Sequence, residues 1–374
     1  MSGTSSDDAT GGFSDQTVRN IIFTSAGGDT LRVQVSNAFG ATALTVAGVD
    51  VGVVLRGAQV APGSTRPLTF GGKASVTIPA GQEALSDPLR MRVRPLAELA
   101  VSLYLPGATG PATNHADAQQ ISYVATGDHV SDTAGAAYAR TTSSWWYIDR
   151  LDVRSPTAGG TVVAFGDSIT DGYHSTIGAN ARWPNDLARR LDALLGDRAP
   201  GVVDEGISGN RVLRGSLCYG VSAEARFQRD ALSQPRVKAV IVLEGTNDFA
   251  FVGGQDPCDL PNPPVTAAQI EAGYQALITM AHDRGVRVYL ATMIPPFTSW
   301  RGAAAGGYVA IWQAVNAWIR TSHAFDAMID FARAVQDPHN PLALSSAYDS
   351  GDGAHPNDLG YRVLANAIPL PIAR

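Results

Sequence analysis

The sequence predicts two domains: an antiparallel β-sandwich followed by an α/β domain built on a parallel sheet. Three observations carry this expectation. The chain has 374 residues, and domains run to roughly 100–200 residues each. Up to about residue 155, short segments alternate apolar and polar residues, the period of strands with one buried face. Beyond residue 160 the pattern becomes strand, loop, helix, repeated, as in α/β folds. The expected boundaries are 1–155 and 156–374, with the join near 154–160.

In the first part, Leu31-Arg32-Val33-Gln34-Val35 places an apolar residue at every second position. Leu89-Arg90-Met91-Arg92-Val93-Arg94 and Val101-Ser102-Leu103-Tyr104-Leu105 do the same. Gly and Pro clusters such as Ala61-Pro62-Gly63 separate them. Several short strands without a helical stretch predict a sandwich. In the second part, residues 161–165 form a first strand. A helix over 182–195 has Leu187, Leu191, Leu194 and Leu195 on one face. Val202-Val203 begins a second strand. The third, Val237–Leu243, is apolar nearly throughout, as when both faces are covered. Thr266 and Gln269 make a capping-box pattern for a helix running to Arg284, with Gly285 as its stop. A fourth strand over 286–293, a helix over 308–320 and a fifth strand centred on 328–331 complete a parallel sheet with helices on both faces.

Hydrophobic residues make up 45% and charged residues 17%, the composition of a globular chain. The net charge is −6 and basic runs are lacking, which gives no support for nucleic-acid binding. No apolar stretch approaches the roughly 18–20 residues of an integral membrane segment. Residues 1–12 lack the basic start and apolar block of a signal peptide. Two readings follow: a cytoplasmic protein, or a secreted one whose leader has been removed. Plentiful Ser, Thr and Gly with scarce Lys lean to export. Cys218 and Cys258 can form one disulfide or remain two buried thiols.

Four segments could carry chemistry, and three of them directly follow a strand, at the sheet edge where α/β folds bind ligands. Gly166-Asp167-Ser168-Ile169-Thr170-Asp171-Gly172 follows the first strand; its Ser168 can present a hydroxyl beside the N–H groups of a helix start, or merely cap that helix. Gly206-Ile207-Ser208-Gly209-Asn210 follows the second strand, where Gly209 lets the backbone approach a ligand, or simply makes a turn. Gly245-Thr246-Asn247-Asp248 follows the third. Asn247 offers an uncharged donor suited to a developing oxyanion, or an Asn-Asp turn. Near the end, Asp352-Gly353-Ala354-His355 lets a carboxylate reach an imidazole within one turn, leaving Nε2 as a base. An Asp–His pair also suits a metal, but the sequence places no further ligand cluster beside it.

In this order the four segments resemble the sequence blocks of the SGNH (GDSL-like) hydrolases, named for their Ser, Gly, Asn and His. The resemblance covers about residues 160–374; Ile169 stands where the GDSL name has Leu. It implies a flavodoxin-like three-layer α/β/α fold with a five-stranded parallel sheet. It implies Ser168 as nucleophile, with His355 and Asp352 completing a catalytic triad. The oxyanion hole would comprise the N–H groups of Ser168 and Gly209 and the Asn247 side chain. No metal or organic cofactor is needed for that chemistry. Residues 1–155 look like the β-rich, jelly-roll-like extension of some secreted bacterial members. That likeness favours export and a Cys218–Cys258 bridge bracing the rim of the site.

Substrate is less defined. Phe249, after the Asn segment, and Phe297 and Trp300, after the fourth strand, are candidate substrate-binding residues, as an acyl wall or a sugar platform, or ordinary loop packing. The expected function is a serine esterase acting on short acyl or acetyl esters, small-molecule or carried on glycans. The alternatives are a transacylase with the same triad, a lipase or phospholipase, and a carbohydrate-binding protein with a vestigial site.

Overall fold

The structure, a computed structural model, describes residues 11–296 and 307–373. The chain divides into two compact units, Met1–Thr157 and Ala158–Arg374.

The first unit holds antiparallel sheets. In the larger one, Gln16–Thr24 pairs with Ala97–Leu105 on one side and with Ser122–Thr126 on the other. Gly48–Arg56 extends it beyond Ala97–Leu105. A second sheet is centred on Gly28–Ser36, flanked by Ile148–Arg154, Glu83–Leu85 and Leu89–Val93. The three segments with strict alternation all fall in these strands. Their apolar positions explain the core: Leu31, Val33 and Val35 from one sheet meet Val18, Val101 and Leu103 from the other in one buried cluster. Each such side chain contributes roughly 1.5–3 kcal/mol by leaving water. Phe13 closes the cluster edge-to-face on Trp146, centroids 5.2 Å apart.

The second unit is built on five parallel strands: β1 (Thr161–Gly166), β2 (Gly201–Gly206), β3 (Val237–Leu243), β4 (Arg287–Ala291) and β5 (Ala327–Ile329). Their spatial order is β2-β1-β3-β4-β5, so the direction of winding reverses between β1 and β3. The crevice at such a switch point is the general ligand site of open α/β sheets. Eight helices are described: α1 (Ser168–Asp171), α2 (Trp183–Leu195), α3 (Ala223–Asp230), α4 (Thr246–Ala250), α5 (Ala267–His282), α6 (Tyr308–Thr321), α7 (Phe331–Val335) and α8 (Asp358–Ala367). They pack in two groups, α2 and α7 on α8, and α3 and α6 on α5. Val163, Phe165, Val240, Val242, Val288 and Leu290 pack with the α3, α5 and α6 group, while the alternate residues Val162, Ala164 and Ile241 are also fully buried. That two-sided burial is why β3 reads as a continuous apolar run.

The fourth strand, expected over 286–293, is shorter, Arg287–Ala291, and two further boundaries differ for a visible reason. The capping box of Thr266 and Gln269 starts α5, but α5 ends at His282 and not at Arg284. Gly285 stands in the left-handed region, φ +67°, and its N–H closes the turn onto the His282 carbonyl. The fifth strand stops at Ile329, because the Asp330 side chain accepts the Arg333 N–H and caps α7, taking Phe331 into a helix.

Candidate active site

The site is assembled from the loops that leave β1, β2 and β3, and from the turn before α8. At the end of β1, the Asp167 carboxylate accepts the Ile169 N–H at 3.0 Å and caps α1, so Ser168 becomes the first residue of the helix. The join is tight: a Cβ on Gly166 would run into the Leu243 carbonyl and the Thr170 hydroxyl. Ser168 is buried, and its Oγ lies 2.9 Å from His355 Nε2. His355 Nδ1 in turn lies 2.6 Å from Asp352 Oδ2. The structure therefore brings Ser168, His355 and Asp352 into one hydrogen-bonded line across 187 residues of sequence.

The turn that carries Asp352 and His355 is itself locked. Asp352 Oδ1 accepts the N–H groups of Ala354 and His355, each at 2.8 Å, and the Ser350 hydroxyl at 3.2 Å. Asp349 accepts the N–H groups of Gly351 and Gly353. Asn357 then caps α8 through the Gly360 N–H. Burial alone would raise the Asp352 carboxyl. The hydrogen bonds and the charge of His355, with the Ala354 N–H, outweigh it and hold the group well below the usual carboxylate range. An anion beside Nδ1 fixes the tautomer that leaves Nε2 free to accept a proton.

Gly209, in the loop after β2, has φ +78°, and a Cβ there would meet the Tyr219 ring. Only glycine combines that backbone with that neighbour. Among the described residues, neither the Ser168 nor the Gly209 N–H has a protein acceptor. Asn247 lies in the first turn of α4, after Gly245 at φ +112°, and is buried. Its Nδ2 donates to the Asn210 carbonyl at 2.9 Å, which uses one of its two N–H groups. The Asp248 carboxylate accepts the Val212 and Leu213 N–H groups, at 2.7 and 3.0 Å, and ties α4 to the β2 loop. Ser208 donates to Asp171 through both its N–H and its hydroxyl, which ties that loop to α1.

Arg226, fully buried on α3, was not legible as part of this assembly. It donates to the Asn210 side chain (2.9 Å), the Glu205 carbonyl (2.8 Å) and the Gly166 carbonyl (2.8 Å). One guanidinium thus fastens the ends of β1 and β2 and the residue beside Gly209. It also faces Asp230 at 3.4 Å and Glu244 at 3.6 Å. Burial raises Asp167 to about 7. Burial, then the neighbouring Asp167, raise Glu244 well above its ordinary range.

The candidate substrate residues fare differently. Phe249 is 3% exposed and its ring is part of the core, edge-to-face with Tyr308 at 4.9 Å. This corrects the expectation of an open wall: α4 turns the ring inward. Phe297 and Trp300 lie outside the described residues. Cys218 and Cys258 are bridged, and Cys218 adjoins Tyr219, which stacks on Phe251 at 5.3 Å. The expectation that no further metal-ligating group stands beside Asp352 and His355 is also corrected. His174 Nε2 lies 3.5 Å from Asp352 Oδ2. Local sequence spacing could not reveal it, because the fold brings it there from just past α1.

Residues 164–363 match the GDSL-like lipase/acylhydrolase family. No curated protein matches the chain. Among solved structures, an acetylxylan esterase from Geobacillus stearothermophilus is similar at 20% identity, over 59% of this chain and 96% of that one, with a TM-score of 0.43. A GDSL-like lipase from Bacteroides thetaiotaomicron is similar at 19% identity over 57% and 88%, with a TM-score of 0.41. A carbohydrate esterase family 2 enzyme plus carbohydrate binding domain from Corynascus thermopiles (Myceliophthora fergusii) is similar at 15% identity over 100% and 97%, with a TM-score of 0.41. More than half of the chain lies within the family match, and the chain belongs to the GDSL-like lipase/acylhydrolase family, as a carboxylic ester hydrolase.

Proposed function

We propose that the chain is a serine esterase that cleaves short acyl or acetyl esters, small-molecule or glycan-borne, through an acyl-enzyme. The observation that carries this reading is the line Ser168 Oγ, His355 Nε2, His355 Nδ1, Asp352 Oδ2, with gaps of 2.9 and 2.6 Å. His355 takes the proton from Ser168 as its oxygen attacks the ester carbonyl. Asp352 holds the ring and stabilises the imidazolium. The oxyanion receives the N–H groups of Ser168 and Gly209 and the second N–H of Asn247. The alcohol leaves with the proton from His355. Water, deprotonated by the same ring, then releases the acid and restores Ser168.

A short acyl group is supported by the crowding beside Gly209, where the Tyr219 ring lies against the glycine and is stacked on Phe251. The test is a series of p-nitrophenyl esters of rising chain length run beside acetylated sugars. This reading expects kcat/KM to be highest for acetate and to fall beyond a few carbons; a maximum at long chains would replace it with a lipase. Secretion is supported by the Cys218–Cys258 bridge, since disulfides persist in oxidising compartments. We read the catalytic unit, from about residue 156, as a flavodoxin-like three-layer α/β/α domain, supported by its strand order and two helix groups. The shared core of the two N-terminal sheets supports a β-sandwich for residues 1–155.

A further inference from the structure

The tail of the nucleophile helix leads to a second histidine. Gly172 ends α1 in the left-handed region, and the Tyr173 N–H returns to the Ser168 carbonyl. His174 follows in the left-handed region at φ +66°, which is uncommon for residues other than glycine but in which asparagine, aspartate and histidine are enriched. This backbone sets its ring beside the far side of the Asp352 carboxylate, Nε2 3.5 Å from the same Oδ2 that His355 Nδ1 approaches at 2.6 Å. The two imidazoles lie 5.6 Å apart at 30°, and Tyr173 meets both edge-to-face at 4.5 and 4.9 Å. A ligand atom from each of His174, Asp352 and His355 lies within 4.8 Å of the others.

Two imidazoles and a carboxylate are the donor set of zinc sites with three protein ligands. Around a tetrahedral ion with bonds of about 2.0–2.1 Å, two ligand atoms stand about 3.3 Å apart. The observed separations of 2.6 and 3.5 Å bracket that value. His174 is 43% exposed and can close the remaining distance by side-chain rotation, whereas His355 and Asp352 are 9% and 21% exposed and held by the turn. The ion can reach the site from the His174 side.

The geometry points to an inhibitory site for a divalent transition metal such as zinc, formed by His174, Asp352 and His355, which switches the esterase off. The inference rests on His355 being the catalytic base. To act as the base, His355 holds its ring proton on Nδ1, toward Asp352, and accepts from Ser168 through Nε2. Zinc can bind Nδ1 only when that nitrogen gives up its proton to Nε2, so in the metal-bound ring the single proton resides on Nε2. With Nε2 protonated the ring cannot accept the Ser168 proton, and Asp352, now a metal ligand, no longer orients it. Removal of the ion reverses both changes.

The test uses the full chain, treated with EDTA and dialysed. Hydrolysis of p-nitrophenyl acetate by the wild type should fall as zinc is added and return with excess EDTA. His174→Asn, which tolerates the left-handed backbone, should retain basal activity. It should need at least about 10-fold more zinc for the same inhibition, a modest value for the loss of a ligand. His174→Gly should behave alike. A readout independent of activity is cobalt titrated into Ser168→Ala: the visible bands of four-coordinate cobalt should appear, and disappear when His174→Asn is added. Exposed pairs such as His282 with Asp326 offer two ligands only and remain in every variant. Equal zinc sensitivity in wild type and both variants, or cobalt bands that survive His174→Asn, would overturn the proposal. A wild type that hydrolyses no ester would instead sink the esterase reading, and cobalt binding would still decide the metal site.

Discussion

Asn247→Ala isolates the oxyanion side of the reaction. Its Nδ2 donates to the Asn210 carbonyl at 2.9 Å, which fixes the amide plane and leaves the second N–H for substrate. Alanine removes both. The loss of one oxyanion donor costs roughly 10²–10³ in kcat, about 2.7–4 kcal/mol. The loss of the buried bond to Asn210 costs roughly 1–3 kcal/mol of stability, because that carbonyl is left short of a donor. The two effects separate in measurement. The oxyanion develops only in the transition state, so KM should change little while kcat and kcat/KM fall together. Steady-state hydrolysis of p-nitrophenyl acetate should be run well below the variant's own melting transition, with the folded fraction checked by circular dichroism. A kcat within threefold of wild type would remove Asn247 from the oxyanion hole. So would a loss that tracks the unfolded fraction.

Two further predictions concern the frame of the site. The folded-state value of Asp352 lies below its unfolded one, so the carboxylate contributes stability that is fully present above about pH 4 and lost as pH falls through the folded value. The gap in melting temperature between wild type and Asp352→Asn should therefore be constant near neutrality and shrink in acid; a gap that widens on acidification would contradict the hydrogen-bonding described for this carboxylate. The Cys218–Cys258 bridge closes a separation of 40 residues, worth about 4 kcal/mol in the chain-entropy account. Replacing both cysteines by serine should lower the denaturant midpoint of the catalytic unit, and an unchanged midpoint would show the bridge to be idle.

How far the sequence leads depends on the range of the contact. β3 is legible to the residue, because a strand covered on both faces is apolar throughout. The start of α5 is legible because a capping box is a contact between residues three apart, and both of its hydrogen bonds are present. The pairing of Asp352 with His355 is local in the same sense. What was not legible comes from distant parts of the chain. Arg226 reads as a polar residue of a short helix, and nothing near it announces that the ends of β1 and β2 converge on it. His174 follows Asp171 by three residues, yet the carboxylate it faces is Asp352, 178 positions away. Phe249 misled for a related reason. An aromatic two residues after Asn247 reads as a pocket wall if the segment is a loop, but the segment is a helical turn that rotates the ring into the core. Of the N-terminal unit, the three strictly alternating strands were legible. Gln16–Thr24 was not, since its buried face includes Thr17, Arg19 and Asn20 as well as apolar residues.

The account stands most directly on Ser168 as the nucleophile. A fluorophosphonate probe incubated with the full chain, followed by proteolysis and mass spectrometry, reads that residue alone. The expected result is one adduct per chain on Ser168, absent from Ser168→Ala, which should keep its fold and lose ester hydrolysis. An adduct on another residue, or undiminished hydrolysis by Ser168→Ala, would contradict the account.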